Sequence, residues 1–100
     1  MNRVRFIAPA RREFLSEVAY YDAREPGLGA RFAAAVEEAV TRAVAFPLTG
    51  SPASQSTRRV FVNNFPYAVV YRPDQEGIIV FAIAHHARRP TYWQPRVQDR

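Results

Sequence analysis

The longest apolar run in the sequence, Ile78–Ala84 (IIVFAIA), constrains the fold more than any other segment. A strand with one face in water alternates apolar and polar residues, whereas a continuous apolar run of this length indicates a strand buried on both faces. Such a strand lies in the centre of a sheet. The rest of the chain therefore has to supply neighbouring strands and helices that cover the sheet.

Three further segments are predicted strands: Arg3–Ile7, Arg58–Asn63 and Tyr67–Arg72. In the first two, apolar residues recur at every other position, the spacing of a strand with one buried face. Short turn segments, Asn64–Pro66 and Pro73–Gly77, connect the last three strands of the chain. Tight turns of this kind join antiparallel neighbours, so these three strands are expected to form an antiparallel run.

Two helices are predicted between the first and second strands, over Ala10–Arg24 and about Ala30–Phe46. Pro9 stands in a first helical turn, where proline is tolerated, and Pro26–Gly29 (PGLG) breaks the chain between the helices. Two amphipathic helices joined by so short a break form an antiparallel hairpin. The apolar stripes expected to face the core are Phe14, Leu15, Val18 and Tyr21 in the first helix and Phe32, Val36, Ala39, Val40, Ala43 and Val44 in the second. Of these, Phe14, Val18, Phe32, Val36 and Val40 are expected to be nearly inaccessible to solvent.

The two remaining segments lack periodicity. Pro47–Thr57 is rich in Pro, Ser and Gly and is predicted to be loop, and the tail after His86 is predicted to be irregular or a short helix. The predicted fold class is therefore α+β, a single domain over residues 1–100. A short N-terminal strand is followed by the helical hairpin and the antiparallel strands, with both helices on one face of the sheet. The other face is expected to offer a concave surface to a partner.

The charge indicates what kind of partner. All 14 basic residues are arginine, against 9 acidic residues, which gives a net charge of +5. A field of this sign favours nucleic acid, an anionic surface or an acidic protein, although an excess of arginine over lysine also follows from codon bias. There is no cysteine, no apolar signal segment at the start and no run near the roughly 20 apolar residues of a membrane span. We expect a cytoplasmic protein without membrane contact.

No motif for a metal or cofactor is visible, and we expect neither. His85 and His86 are adjacent, so on a strand they point to opposite faces and are poorly placed to ligate one ion. The four glycines are scattered through turns instead of forming a phosphate-binding loop. No Ser/His/Asp or Cys/His arrangement suggests nucleophilic hydrolysis.

Basic and aromatic residues are concentrated directly after the central strand, with further arginines at the ends of its neighbours. The candidate site residues are Arg58, Arg59, Arg72, His85, His86, Arg88, Arg89, Tyr92 and Trp93. One interpretation is a docking surface. The other is a metal-independent RNA-cleaving site, in which His85 or His86 is the base, Arg88 binds the phosphate and aromatic rings stack the bases. Tyr92 and Trp93 have a third interpretation, since they are also suited to packing over the end of the sheet.

Three segments resemble the RelE/ParE family of toxins, in the order that the family has them. They are YYDAREPGLGARFAAAVEEAV, FPYAVVYR and IIVFAIAHHARRPTYW, and they lie between residues 20 and 93 of the chain. The resemblance implies the RelE/ParE-like α+β fold and a toxin of a type II toxin–antitoxin module of the plasmid-stabilisation kind, which inhibits growth. It also implies a partner, the cognate antitoxin encoded beside the toxin, and a toxin–antitoxin hetero-oligomer.

The resemblance is closer to ParE-like than to RelE-like members. RelE-like toxins cut messenger RNA on the ribosome, with lysines before one strand, an arginine after the aromatic residue that opens the next strand, and an Arg and a Tyr after the last strand. This chain has no lysine, carries Ala68 after Tyr67, and retains only Arg88 and Tyr92. ParE-like toxins poison DNA gyrase and are not enzymes. The alternatives are a RelE-like mRNA endoribonuclease and a degenerate toxin that only binds its antitoxin.

Overall fold

The computed structural model describes residues 3–98 of the chain. Its elements, in order, are β1 (Arg3–Phe6), α1 (Ala8–Arg24), α2 (Leu28–Ala45), β2 (Ser51–Pro52), β3 (Arg58–Phe61), β4 (Tyr67–Pro73), β5 (Gly77–His85) and α3 (Gln94–Gln98). The predicted helical hairpin and the predicted strands are confirmed, with boundaries that shift by one or two residues. The predicted loop contains one unforeseen element, the two-residue strand β2, which pairs antiparallel with β3.

The five strands form one sheet in the order β1-β5-β4-β3-β2. The apolar run lies in β5, which has a neighbour on each side and is confirmed as an interior strand. Strands β3, β4 and β5 pair antiparallel, as predicted, and Tyr67 lies opposite His85. β1 pairs with β5 in parallel. The apolar pattern of a strand does not predict whether it pairs parallel or antiparallel, because the pattern indicates only which face of the strand is buried.

Both helices lie on one face of the sheet, as predicted. The inward residues of α2 are confirmed: Phe32, Val36, Ala39, Val40 and Ala43 are buried and Val44 is partly buried. The expectation for α1 is only partly right. Phe14, Val18 and Tyr21 are half-buried, and Leu15 is 55% exposed. Phe14 and Leu15 line a groove of about 450 Å³ that stays open between α1 and α2.

The opposite face of the sheet is partly covered by the C-terminal tail. Trp93 and Val97 are each 3% exposed and belong to the hydrophobic core. Tyr67 faces the helices, so the alternation of β4 puts Ala68 and Val70 on the opposite face, where both line a cleft with Trp93. The short α3 therefore closes part of the surface that was expected to be open. Among residues 3–98 no helix is long and apolar enough to cross a membrane.

Candidate functional site

The second half of β5 has a free edge, because β1 ends beside Val80. Two side chains cover this edge. Arg96 Nη1 donates to the carbonyl oxygen of Phe81 (3.0 Å), and Glu13 Oε1 accepts from the backbone N–H of Ile83 (3.0 Å). Backbone groups of an uncovered edge attract other strands. Here an ion pair from α1 and α3 takes the place of the missing strand.

Glu13 is the centre of the polar contacts at this edge. Its Oε2 accepts from Arg96 Nη2 (2.8 Å) and from the hydroxyl of Tyr92 (2.8 Å). The side chains of Glu13 and Arg96 are only 17% and 20% exposed, so the pair is well shielded from water. Burial works against the charge of Arg96, but the carboxylate of Glu13 outweighs it and raises the pKa of Arg96. Burial raises the pKa of Tyr92, and its hydrogen bond to Glu13 raises it further.

The ring of Tyr92 supports an exposed arginine. The guanidinium carbon of Arg88 lies 3.9 Å from the centroid of this ring, a close cation–π contact. Arg88 and its neighbour Arg89 are both exposed. Neither forms an ion pair with any of residues 3–98. Two guanidinium groups are thus presented to solvent directly after β5.

His85 is held by two contacts. Its ring packs edge-to-face on Tyr67, with centroids 4.9 Å apart, and its Nδ1 accepts from the backbone N–H of Ala87 (2.9 Å). The proton of the neutral ring therefore resides on Nε2, and no ring nitrogen is left with a free lone pair. The Tyr67 hydroxyl donates to Glu17, and burial together with Glu17 raises the pKa of Tyr67. His86 packs instead against Phe61, with centroids 5.5 Å apart.

Two clefts meet at the end of β5. The first, of about 540 Å³, lies between α1 and the sheet and is lined by Pro9, Arg12, Glu13, Ser16, Glu17, Tyr67, Ile83, His85, Arg88 and Arg96. The second, of about 230 Å³, lies on the opposite face of the sheet and is called the basic groove below. It is lined by Arg59, Phe61, Ala68, Val70, Ala84, His85, His86, Arg88, Arg89, Pro90, Tyr92 and Trp93.

The basic groove brings together most of the residues predicted from the sequence: Arg59, His85, His86, Arg88, Arg89, Tyr92 and Trp93. Trp93 belongs to its floor. Trp93 is 3% exposed and its ring packs into the core, which agrees with the interpretation that it packs over the end of the sheet. It is not an exposed residue that a partner could contact directly. Phe61, which the sequence did not single out, is 54% exposed beside the arginines.

Arg58 and Arg72 lie apart from the basic groove. Arg58 Nη1 donates to the carbonyl oxygens of Leu48 (3.0 Å) and Gly50 (2.8 Å). Arg72 Nη2 donates to the carbonyl oxygen of Gln55 (2.7 Å), and its guanidinium lies over the ring of Phe81. Both arginines are therefore engaged in holding the loop between α2 and β3 against the sheet.

Sequence reasoning missed the carboxylates of α1. Glu13 and Glu17 are four residues apart, which puts both on one side of the helix, next to the inward-facing Phe14 and Val18. That spacing was the available signal. The spacing alone did not identify Glu13 as a site residue, because nothing in the sequence indicates that Arg96 and Tyr92 contact α1. Within residues 3–98 no group of three His, Cys, Asp or Glu side chains is arranged to hold a metal ion.

Comparisons with known proteins identify the family and the fold. A family model described as the ParE toxin of the type II toxin–antitoxin system parDE matches residues 4–90. A chain in the solved structure of a chromosomal ParDE toxin–antitoxin system from P. aeruginosa has a similar fold, with a TM-score of 0.72 and 17% sequence identity. That similarity covers 85% of this chain and 96% of the other. No curated protein matches the sequence.

Proposed function

Because this chain belongs to the ParE toxin family of type II toxin–antitoxin systems, we propose that it inhibits growth by docking onto DNA gyrase through the basic groove. We further propose that a cognate antitoxin binds and neutralises it in a hetero-oligomer. Both partners would meet the toxin in the cytoplasm. No bond is cleaved in this mechanism, so the toxin is not an enzyme.

The basic groove is the observation that carries the proposal. Arg59, Arg88 and Arg89 surround an apolar floor that includes Ala68, Val70 and Trp93, and the exposed ring of Phe61 lies at the rim. Arginine and aromatic residues around an apolar centre are typical of the residues that dominate protein–protein interfaces.

The contacts of the candidate catalytic residues argue against RNA cleavage. A general base needs a free lone pair, and His85 Nδ1 is already occupied by the Ala87 N–H. The Tyr92 hydroxyl donates to Glu13, and its raised pKa makes it a poor proton donor to a leaving group. Ala68 puts a methyl group where a RelE-like toxin has an arginine. His86 is exposed and contacts the ring of Phe61. A phenyl ring has no polar group that could orient the imidazole for proton transfer.

The groove between α1 and α2 is the surface we assign to the antitoxin. Its walls include Phe14, Leu15, Val36 and Val40. The exposed Leu15 is an apolar side chain without cover on the free toxin. An amphipathic antitoxin helix would bury it, and the net charge of +5 favours an acidic partner. This binding is expected to weaken with salt at its polar rim and to persist through the apolar contacts.

The test is a supercoiling assay with purified gyrase and toxin. Replacing both exposed arginines (Arg88→Ala/Arg89→Ala) is expected to raise the inhibitory concentration at least about thirtyfold, the effect of losing roughly 2 kcal/mol of binding. Arg31→Ala is the matched control, because Arg31 is an exposed arginine of α2 paired only with Glu25. Primer extension on mRNA from induced cells tests the alternative. Codon-phased cuts that vanish in His86→Gln or His85→Gln would replace gyrase docking with RNA cleavage.

A further inference from the structure

We propose that Glu13 is a positioning residue for the gyrase-binding surface: from α1 it fixes Tyr92, and the ring of Tyr92 in turn orients Arg88. The inference rests on the proposed docking function. It adds a residue that does not touch the target, since the Glu13 side chain is only 17% exposed and all of its described contacts are internal.

The carboxylate of Glu13 is itself fixed in place. One oxygen, Oε1, accepts from the backbone N–H of Ile83, a residue of β5 that is paired with Val69 of β4 on its other side. The other oxygen, Oε2, accepts from Tyr92 and Arg96. Hydrogen bonds to an ionised acceptor are about twice as strong as neutral ones, and here they are shielded from water. The position of Oε2 relative to β5 therefore determines where the Tyr92 hydroxyl lies.

Tyr92 transmits this order to Arg88. The hydroxyl end of the ring is held by Glu13, and Arg88 lies over the ring at 3.9 Å from its centroid. A long exposed side chain ordinarily loses rotamer freedom when it binds a partner. Contact with a fixed ring restricts Arg88 before the target arrives. Gyrase would then meet a guanidinium that is already oriented, and part of the entropic cost of binding would be avoided.

Two substitutions each remove the hydrogen bond that the Tyr92 hydroxyl donates to Glu13. Glu13→Gln is nearly isosteric: its amide oxygen can still accept from Ile83, but its NH₂ group cannot accept from Tyr92 or from Arg96. Tyr92→Phe keeps the ring beneath Arg88 and removes only the hydroxyl. Glu17→Gln is the matched control, because Glu17 is also a carboxylate of α1 that accepts from a tyrosine hydroxyl. Its tyrosine is Tyr67, which lies in β4 and in the core.

The readouts are inhibition of gyrase supercoiling and the fluorescence of Trp93. Trp93 is the only tryptophan and is buried in the tail, so its emission reports whether the tail stays docked. Glu13→Gln and Tyr92→Phe are each expected to raise the half-inhibitory concentration roughly three- to tenfold, the cost of ordering one long side chain. The double variant should lose no more than either single one, because both remove the same contact. Trp93 emission should stay unchanged, and Glu17→Gln should stay within about twofold of the wild type.

Three other results would contradict either the positioning role of Glu13 or the proposed docking surface, and each result identifies which of the two is wrong. If Arg88→Ala loses inhibition but Glu13→Gln and Tyr92→Phe do not, the positioning role is wrong and docking through Arg88 stands. If Glu13→Gln shifts Trp93 emission to longer wavelength while Tyr92→Phe inhibits normally, Glu13 only holds the tail and the inference fails. If Arg88→Ala inhibits as well as the wild type, the proposed docking surface itself is wrong.

Discussion

Asp22 and Gly29 lock the two helices together at their shared end. Asp22 Oδ1, in the last turns of α1, accepts from the backbone N–H of Gly29 (3.3 Å) in the first turn of α2, and also from that of Gly27 (3.0 Å). A Cβ atom on Gly29 would lie 2.8 Å from Asp22 Cβ and 2.5 Å from the carbonyl oxygen of Val18. The carboxylate therefore caps α2 from outside the helix, and only glycine lets it come so close.

The first prediction is that Gly29→Ala destabilises the fold even though alanine is the better helix former. The added methyl group meets backbone, which cannot move aside as a flexible side chain would, and overpacking of this kind costs about 1–3 kcal/mol. Gly27→Ala is the comparison, because a Cβ there meets nothing within 4 Å and is disfavoured only by the φ of +89°. Urea denaturation of both variants measures the difference. A Gly29→Ala protein as stable as the wild type would mean that the helices are farther apart than described.

The second prediction concerns the aromatic centre of the core. Phe32 has no exposed surface, and its ring centroid lies 5.0 to 5.2 Å from those of Tyr21, Phe65 and Tyr67. Phe32→Ala is expected to lower the free energy of unfolding by about 3–5 kcal/mol, through lost burial and the cavity that remains. Phe32→Leu keeps most of the volume and should cost clearly less. A loss below about 1 kcal/mol for the alanine variant would contradict the packing of α2 on the sheet.

The fold followed from local patterns to a large extent. The apolar run of Ile78–Ala84 predicted an interior strand, and the period of Phe32, Val36 and Val40 predicted the buried face of α2. α1 was predicted less well, because Leu15 is as apolar as a core residue and yet faces the open groove. A helical period shows that a face is apolar. It does not show whether the same chain or a partner buries that face.

The candidate site was predictable only in part, for a related reason. Arg88, Arg89 and Tyr92 are close in the sequence, so their cluster was visible there. Glu13 is linked to the tail by contacts across about 80 positions of sequence, which no local pattern records. Trp93 was ambiguous, because an aromatic residue beside arginines is equally typical of an interface and of a covered sheet face.

The third prediction is a loss of stability at high pH. Burial and carboxylate partners raise the pKa of Tyr67 and Tyr92 in the folded state, whereas an unfolded tyrosine ionises near its ordinary pKa of about 10. The unfolded state therefore releases protons first, and stability that is fully present below pH ~10 falls as the pH rises above it. Denaturant unfolding at a series of pH values measures the slope. Tyr92→Phe should reduce that slope, and a stability that stayed constant above pH ~10 would contradict the burial of both hydroxyls.

The last prediction separates the structural role of Trp93 from target binding. Because the ring is 3% exposed and forms part of the core with Val97, Trp93→Ala is expected to cost about 3–5 kcal/mol of folding stability. Trp93→Phe should cost less, because it keeps an aromatic ring on the sheet face near Ala68 and Val70. Inhibition of gyrase per folded molecule should be close to wild type for Trp93→Phe, whereas it is lost in Arg88→Ala. Circular dichroism gives the folded fraction and the supercoiling assay gives the inhibition. If a fully folded Trp93→Phe protein loses inhibition as completely as Arg88→Ala, the ring contacts the target, and the tail must open to expose it.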